Sequence, residues 1–319
     1  MKPCCAVRNL IVASTVLLLP VPAAGIPQQE LDFTIRSDVR LVLLDVSVKD
    51  HKGSNVSGLS KDNFTVLEDG RPQPIQVFAA DDVPATVGIL VDESFSMAPK
   101  RDAVLTAAQT FIEQSNPRDE VFVLNFNDQV TRGLPAPQLF SGDPGQLSGA
   151  LHRGVAAGKT ALYDAVVDGL QQLQMGTLDK KALVVISDGG DNASRHTRRE
   201  MLDVAVRSSA TIYTIGLFDT NDPDRNPGIL RELARISGGE AYFPETPPDT
   251  IPVCRRVAGD IRARYTLGYV PQAGNGANVL RHIRVRAEAP EHGKLNAITR
   301  SSYRYDEIPS QKKSSPALD

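Results

Sequence analysis

The sequence predicts an α/β protein: a Rossmann-like, doubly wound, mostly parallel sheet, flanked by a small β-sandwich built from the N- and C-terminal segments. Three observations carry this. Thr86–Val91 and Ala182–Ile186 are largely unbroken apolar runs, the pattern of strands buried on both faces. Between and after them, strands alternate with segments of helical period, which implies parallel strands covered by helices. Toward both ends only strand patterns remain, and neither set promises a core of its own, because isolated hairpins are marginal.

Taken in order, residues 32–82 read as a β segment. Val39–Val48 is rich in β-branched residues, and Asp50-His51-Lys52-Gly53 is a turn. Phe64–Leu67 and Ile75–Phe78 are short strands expected around the turn Glu68-Asp69-Gly70. Residues 83–260 form the alternating α/β domain. Its expected strands are Thr86–Val91, Val121–Phe126, Ala182–Ile186, Ala210–Ile215 and Glu240–Phe243. Its expected helices are Arg101–Gln114, Ala161–Leu173, Thr197–Ser208, Ile229–Ile236 and Ile251–Arg262, the fourth closed by Ser237-Gly238-Gly239. Residues 264–305 return to β structure, with strands at Tyr265–Val270, His282–Ala287 and Arg300–Tyr305 and a turn at Gly274-Asn275-Gly276. The tail, residues 306–319, has a disordered composition.

The N-terminus reads as an export signal over residues 1–25. Lys2 and Arg8 precede an apolar run from Leu10 to Leu19, and Ala23-Ala24-Gly25 supply a small-residue cleavage site. The run is too short to span a bilayer of roughly 30 Å, so no membrane span is expected after cleavage. Cleavage removes Cys4 and Cys5 and leaves Cys254 alone, so the mature chain forms no internal disulfide. It also takes the formal charge from -3 to -5 through loss of Lys2 and Arg8. That balance, with 5% aromatics and no Trp, speaks against nucleic acid as a partner. The expected location is outside the cytoplasm: periplasm, envelope or medium.

The chemistry-bearing residues cluster where strands end. Asp92, Ser94 and Ser96 fall at alternate positions just past the first buried strand. Thr160 stands before Ala161-Leu162-Tyr163-Asp164-Ala165, and Asp188 ends the second buried strand in Ser187-Asp188-Gly189-Gly190. Open parallel sheets bind ligands at these carboxyl ends. Carboxylate and hydroxyl oxygens are hard donors suited to Mg²⁺, Mn²⁺ or Ca²⁺. The bland alternatives are that Asp92 or Ser96 caps the helix at Arg101, and that Thr160 caps the helix it precedes.

Together these residues resemble the metal-ion-dependent adhesion site of von Willebrand factor A domains. The resemblance covers Val83–Asp260, and the flanking motifs Leu67-Glu68-Asp69-Gly70 and Tyr265-x-Leu267-Gly268-Tyr269 are similar to an exported acidobacterial form of the domain. It implies that Ser94 and Ser96 bind a divalent metal, Mg²⁺ first, directly. It further implies that Thr160 binds directly or through water, and that Asp92 and Asp188 hold coordinated waters. An acidic side chain of a protein partner would complete the shell. Lys159 departs from the family, where a small residue precedes the Thr; its charge would weaken the cation or help to draw an acidic ligand. Glu93 and Asp191 are accessory candidates.

The function expected is therefore that of a non-enzymatic, metal-dependent binding module. The alternative is a metal-independent structural or assembly component of an envelope complex. A metal-dependent hydrolase using Asp188, Asp191 and His196 is the third reading, although His196 lacks the spacing of a zinc motif.

Overall fold

The computed structural model describes residues 41–80, 82–218, 224–272 and 279–305. The export signal, the Gly274-Asn275-Gly276 turn and the C-terminal tail lie outside the described residues. In chain order the elements are β1 Val42–Lys49, β2 Phe64–Glu68, β3 Arg71–Gln73, β4 Val77–Ala79, β5 Ala85–Asp92, α1 Arg101–Gln114, β6 Glu120–Phe126 and β7 Val130–Arg132. There follow α2 Pro144–His152, α3 Leu162–Gln174, β8 Lys180–Ser187, α4 Arg198–Arg207, β9 Thr211–Gly216, α5 Pro227–Ser237 and β10 Ala241–Tyr242. Last come α6 Thr250–Arg262, β11 Tyr265–Tyr269, β12 Val279–Ala287, β13 Asn296–Ile298 and β14 Ser302–Tyr305.

The central sheet has the order β10-β9-β8-β5-β6-β7 and is parallel except for β7. β5 lies in its middle and buries all eight residues, as its apolar run requires. Gly88 is needed there for packing: a Cβ would stand 2.4 Å from the Phe122 ring. α1 packs with α2 and α6, while α3 packs with α4 and α4 with α5. One core formed by these helices and the sheet includes Ile89, Phe111, Leu124, Leu170 and Ile186.

Both chain ends contribute to two antiparallel sheets, β13-β1-β11-β4 and β14-β12-β2-β3. They share a second core in which Leu44, Val46 and Leu267 meet Phe64, Val66, Ile283 and Tyr303. Each sheet interleaves strands from before and after the α/β domain, so neither end could complete a sheet alone.

Four short elements escape the sequence patterns: β3, β7, α2 and β13. β3, β7 and β13 span three residues each, too few to show a period, and α2 carries Gly145 and Gly149. The start of α2 was nonetheless legible: Asp143 accepts the Gln146 N–H at 2.7 Å, and Pro144 follows it at the first helical position. The Glu68-Asp69-Gly70 turn is real but joins different partners from those expected. Asp69 and Gly70 adopt φ of 48° and 80°, the double positive φ of a two-residue hairpin, so β2 returns immediately as β3. β4, expected to pair with β2, instead lies against β11 in the other sheet.

A buried polar seam joins the sandwich to the α/β body. Asp260 on α6 accepts the Ser47 hydroxyl at 2.7 Å and the Tyr213 hydroxyl at 2.5 Å. Arg264 donates to the Tyr213 oxygen at 2.8 Å and to the carbonyls of Gly238 at 2.7 Å and Asp45 at 3.1 Å. Burial pushes the Asp260 carboxyl up, but Arg264, Lys49 and its hydroxyl partners hold it below the usual carboxylate range.

Candidate metal centre

Parallel pairing of β5 with β8 sets Val91 beside Ile186, so the two strands end together and deliver Asp92 and Ser187-Asp188 side by side. Asp92 Oδ1 accepts the Ser94 N–H at 2.9 Å, bending the chain sharply after the strand. The bend brings the Ser94 and Ser96 hydroxyls to 3.1 Å of each other. Ser96 Oγ donates to Asp188 Oδ2 at 2.6 Å, and Ser187 Oγ donates to Asp92 Oδ2 at 2.6 Å. Asp188 Oδ1 accepts the Gly190 N–H at 3.0 Å. Gly189 turns at φ 81° with no room for a side chain, since a Cβ would meet the Asn226 carbonyl oxygen at 2.3 Å.

Thr160 is tied by its backbone to the loop that follows Asp188. Its N–H donates to Asn192 Oδ1 at 2.9 Å, and its carbonyl accepts the N–H groups of Asn192 and Ala193 at 2.9 and 3.0 Å. The loop after Asp188 thus holds Thr160, which is buried. Neither capping alternative describes these residues. Lys100 occupies the N-cap of α1 with no side-chain bond, and Ala161 occupies that of α3.

The accessory candidates are engaged elsewhere. The Glu93 carboxylate is buried and pairs with Arg101 Nε at 2.8 Å. Asp191 Oδ1 accepts the Tyr163 N–H at 3.1 Å and the Ser194 hydroxyl at 2.5 Å, so it serves the first turn of α3. Asp164 answers from α3 by accepting the N–H groups of Arg195 and His196 at 3.0 and 2.9 Å. His196 Nδ1 lies 2.7 Å from Asp164 Oδ1, so this ring nitrogen is taken up at the start of α3. Lys159 is exposed. Sequence reasoning missed the parts of Ser187 and Asn192; their neighbourhood to the motif was legible, but not which atoms they would meet.

Electrostatics favour a cation here. Asp92 and Asp188 are both buried, and among the described residues no Lys or Arg forms an ion pair with either. Burial, and then the charge of Asp188, push the Asp92 carboxyl up to about 7 against the lowering effect of its bonds from Ser187 and Ser94. The two carboxylates and the Ser94 and Ser96 hydroxyls make a hard oxygen set of the kind that suits Mg²⁺-like ions. Among the described residues no three His, Cys, Asp or Glu gather as a metal group, so the hydroxyls are indispensable to such a site.

Residues 87–190 match the family model of the von Willebrand factor type A domain. A von Willebrand factor type A protein from Catenulispora acidiphila superposes with a TM-score of 0.50 at 13% identity, covering 84% of this chain and 74% of that one. That likeness shows the fold, and it extends beyond the α/β domain into the flanking sheets. The von Willebrand domain of the type V pilus tip protein Mfa5 from Porphyromonas gingivalis matches with a TM-score of 0.48 at 13% identity, covering 57% of this chain and 96% of that one. A mussel byssus thread matrix protein, solved with zinc in its adhesion-site motif, matches with a TM-score of 0.47 at 15% identity, covering 56% and 48%.

Proposed function

From the premise that residues 87–190 carry a von Willebrand factor type A domain, we propose that this protein is an exported, non-enzymatic binding module that captures an acidic residue of a protein partner through a divalent metal. One observation carries the reading. The hydroxyls of Ser94 and Ser96 and the carboxylates of Asp92 and Asp188 converge at the carboxyl end of β5 and β8, with two buried acids and, among the described residues, no basic side chain paired to them. Ser94, Ser96 and Thr160 would hold the ion, and Asp92 and Asp188 would balance its charge through water. The metal would supply a positive centre not neutralised by direct carboxylate ligands, to which an incoming carboxylate is drawn. Lys159, exposed beside Thr160, would add to that attraction. Mg²⁺ is the proposed ion.

Calorimetric titration with Mg²⁺ tests this. Wild type should bind one ion, and Asp188→Ala should bind none. Failure of the wild type to bind Mg²⁺, Mn²⁺ or Ca²⁺ would exclude the reading.

The second reading is a metal-independent scaffold in a cell-envelope complex, in which the bonds from Ser187 and Ser94 to Asp92, and from Ser96 and Gly190 to Asp188, would serve to shape the loops. Partner capture that survives a chelator and Asp92→Ala would establish that alternative. No helix among the described residues is long and apolar enough to cross a membrane.

A further inference from the structure

The two most exposed large apolar side chains among the described residues are Phe95 at 74% and Val155 at 70%. The other exposed large hydrophobics lie between 38% and 48%. Single exposed apolar residues are ordinary on a protein surface. These two, however, stand on two loops that are bonded to each other. Phe95 stands between Ser94 and Ser96 in the metal loop itself. Val155 lies on the loop after α2, which is fastened to the metal loop by two bonds, Ala157 N–H to the Glu93 carbonyl at 2.9 Å and Phe95 N–H to the Gly158 carbonyl at 3.1 Å, and to the start of α1 by a third, Arg101 Nη2 to the Gly154 carbonyl at 2.7 Å.

Local packing keeps this second loop in place. At Gly154 a Cβ would lie 2.2 Å from Glu93 Oε1, and at Gly158, where φ is 78°, it would lie 1.8 Å from Asp128 Oδ2. Glu93, buried and paired with Arg101, is thus the post against which the Val155 loop is seated. Charge on the rim has a sign as well. Residues 151–160 contain Arg153 and Lys159, both exposed, and no acidic residue; two acids pack against this loop, Glu93, which is paired with Arg101, and Asp128, behind Gly158.

Side chains that stay dry only when covered, beside a loop whose own exposed charges are Arg153 and Lys159, around a centre proposed to take a carboxylate, define the complementary ligand. We infer that the partner presents its acidic residue with apolar side chains directly beside it, and that Phe95 and Val155 select for those neighbours. This rests on the metal-dependent reading above. The metal and Lys159 would engage the carboxylate, while Phe95, with few rotamers to lose, would supply the apolar anchor. Aromatic anchors next to a desolvated polar contact are the usual source of binding energy in such interfaces.

The test uses the full chain in excess Mg²⁺ with two fluorescein-labelled peptides, Gly-Ser-Leu-Glu-Leu-Ser-Gly and Gly-Ser-Ser-Glu-Ser-Ser-Gly, read by fluorescence anisotropy. The Leu-flanked peptide should bind about tenfold tighter, a modest return for covering an aromatic side chain. In Val155→Ser, outside the metal loop, that preference should fall while calorimetric Mg²⁺ affinity stays at the wild-type value, and in the double variant Phe95→Ser and Val155→Ser, measured at saturating Mg²⁺, it should vanish. Equal binding of both peptides by wild type, or a preference that outlives the double substitution, overturns the inference. Absence of Mg²⁺ binding by wild type overturns the metal reading itself, and the calorimetry tells the two failures apart.

Discussion

Ser187 on β8 donates its hydroxyl to Asp92 on β5 at 2.6 Å, across a parallel strand pair and 95 residues of sequence. The same Ser187 oxygen accepts the Gly189 N–H at 3.0 Å, so one side chain both steadies the first acid and shapes the turn that presents Asp188. The candidate site is accordingly a product of strand register, and the predictions that follow exploit this dependence.

Ser187→Ala should weaken the metal-free protein by about 1–3 kcal/mol, because a buried carboxyl oxygen loses its hydroxyl donor. Urea unfolding in the presence of a chelator checks the magnitude. Loss of a bond that lowers the Asp92 carboxyl also drives that group further up, so Mg²⁺ affinity near neutral pH should fall as well.

Protons and metal should compete at Asp92. Its carboxyl is pushed up from 3.8 to about 7 in the metal-free fold, so between those values the folded state binds more protons than the unfolded chain. Its contribution to metal-free stability is therefore greatest in acid and declines as pH rises toward 7. A divalent ion relieves the charged form, so the thermal shift caused by Mg²⁺ should be larger at pH 8 than at pH 6. Asp92→Asn, which cannot titrate, should flatten that difference; an unchanged pH dependence in this variant would contradict the assignment.

Gly189→Ala should be costly despite adding one methyl group. The position has φ 81°, and the new Cβ would meet the Asn226 carbonyl oxygen at 2.3 Å. A loss of at least about 1 kcal/mol is expected from the backbone alone. Because Asp188 directly precedes this turn, calorimetry should show weaker Mg²⁺ binding than in wild type even at temperatures where the variant remains folded.

The seam between the two cores should fail if its cation is removed. Arg264→Ala leaves Asp260 buried beside Tyr213 and Ser47 without its main counter-charge, which should cost about 3–5 kcal/mol in urea unfolding. Asp260 is held below its usual range, so its stabilisation is present at neutral pH and lost as pH falls below about 3.8. The variant should show a shallower acid transition than wild type.

How much could be read before folding is clearest at particular residues. β5 and β8 announced themselves because a strand buried on both faces has little choice but to be apolar, and α1, α3 and α4 kept the spacing of a helix that covers a sheet. β7 and β13, three residues each, exist only because a longer strand offers them an edge, so they leave no local trace. Likewise the short-range signal at Asp69-Gly70 specified the turn but not its partner strand, and the pairing of β4 with β11 rests on chain 187 or more residues away.

Sequence by itself singled out Asp92, Ser94, Ser96, Thr160 and Asp188 as candidate oxygen ligands, because ligand chemistry is a property of residue types and their place at strand ends. It likewise determined the α/β class, because hydrophobic period is local. The tertiary structure alone decided which atoms meet. It set Ser187 against Asp92, turned Glu93 to Arg101, assigned Asp191 and His196 to the start of α3, and gathered Ser47, Tyr213, Asp260 and Arg264 from distant parts of the chain. The physical reason is that a hydrogen bond or an ion pair depends on positions within tenths of an ångström. Only the packed register of two strands and two cores supplies positions that well defined.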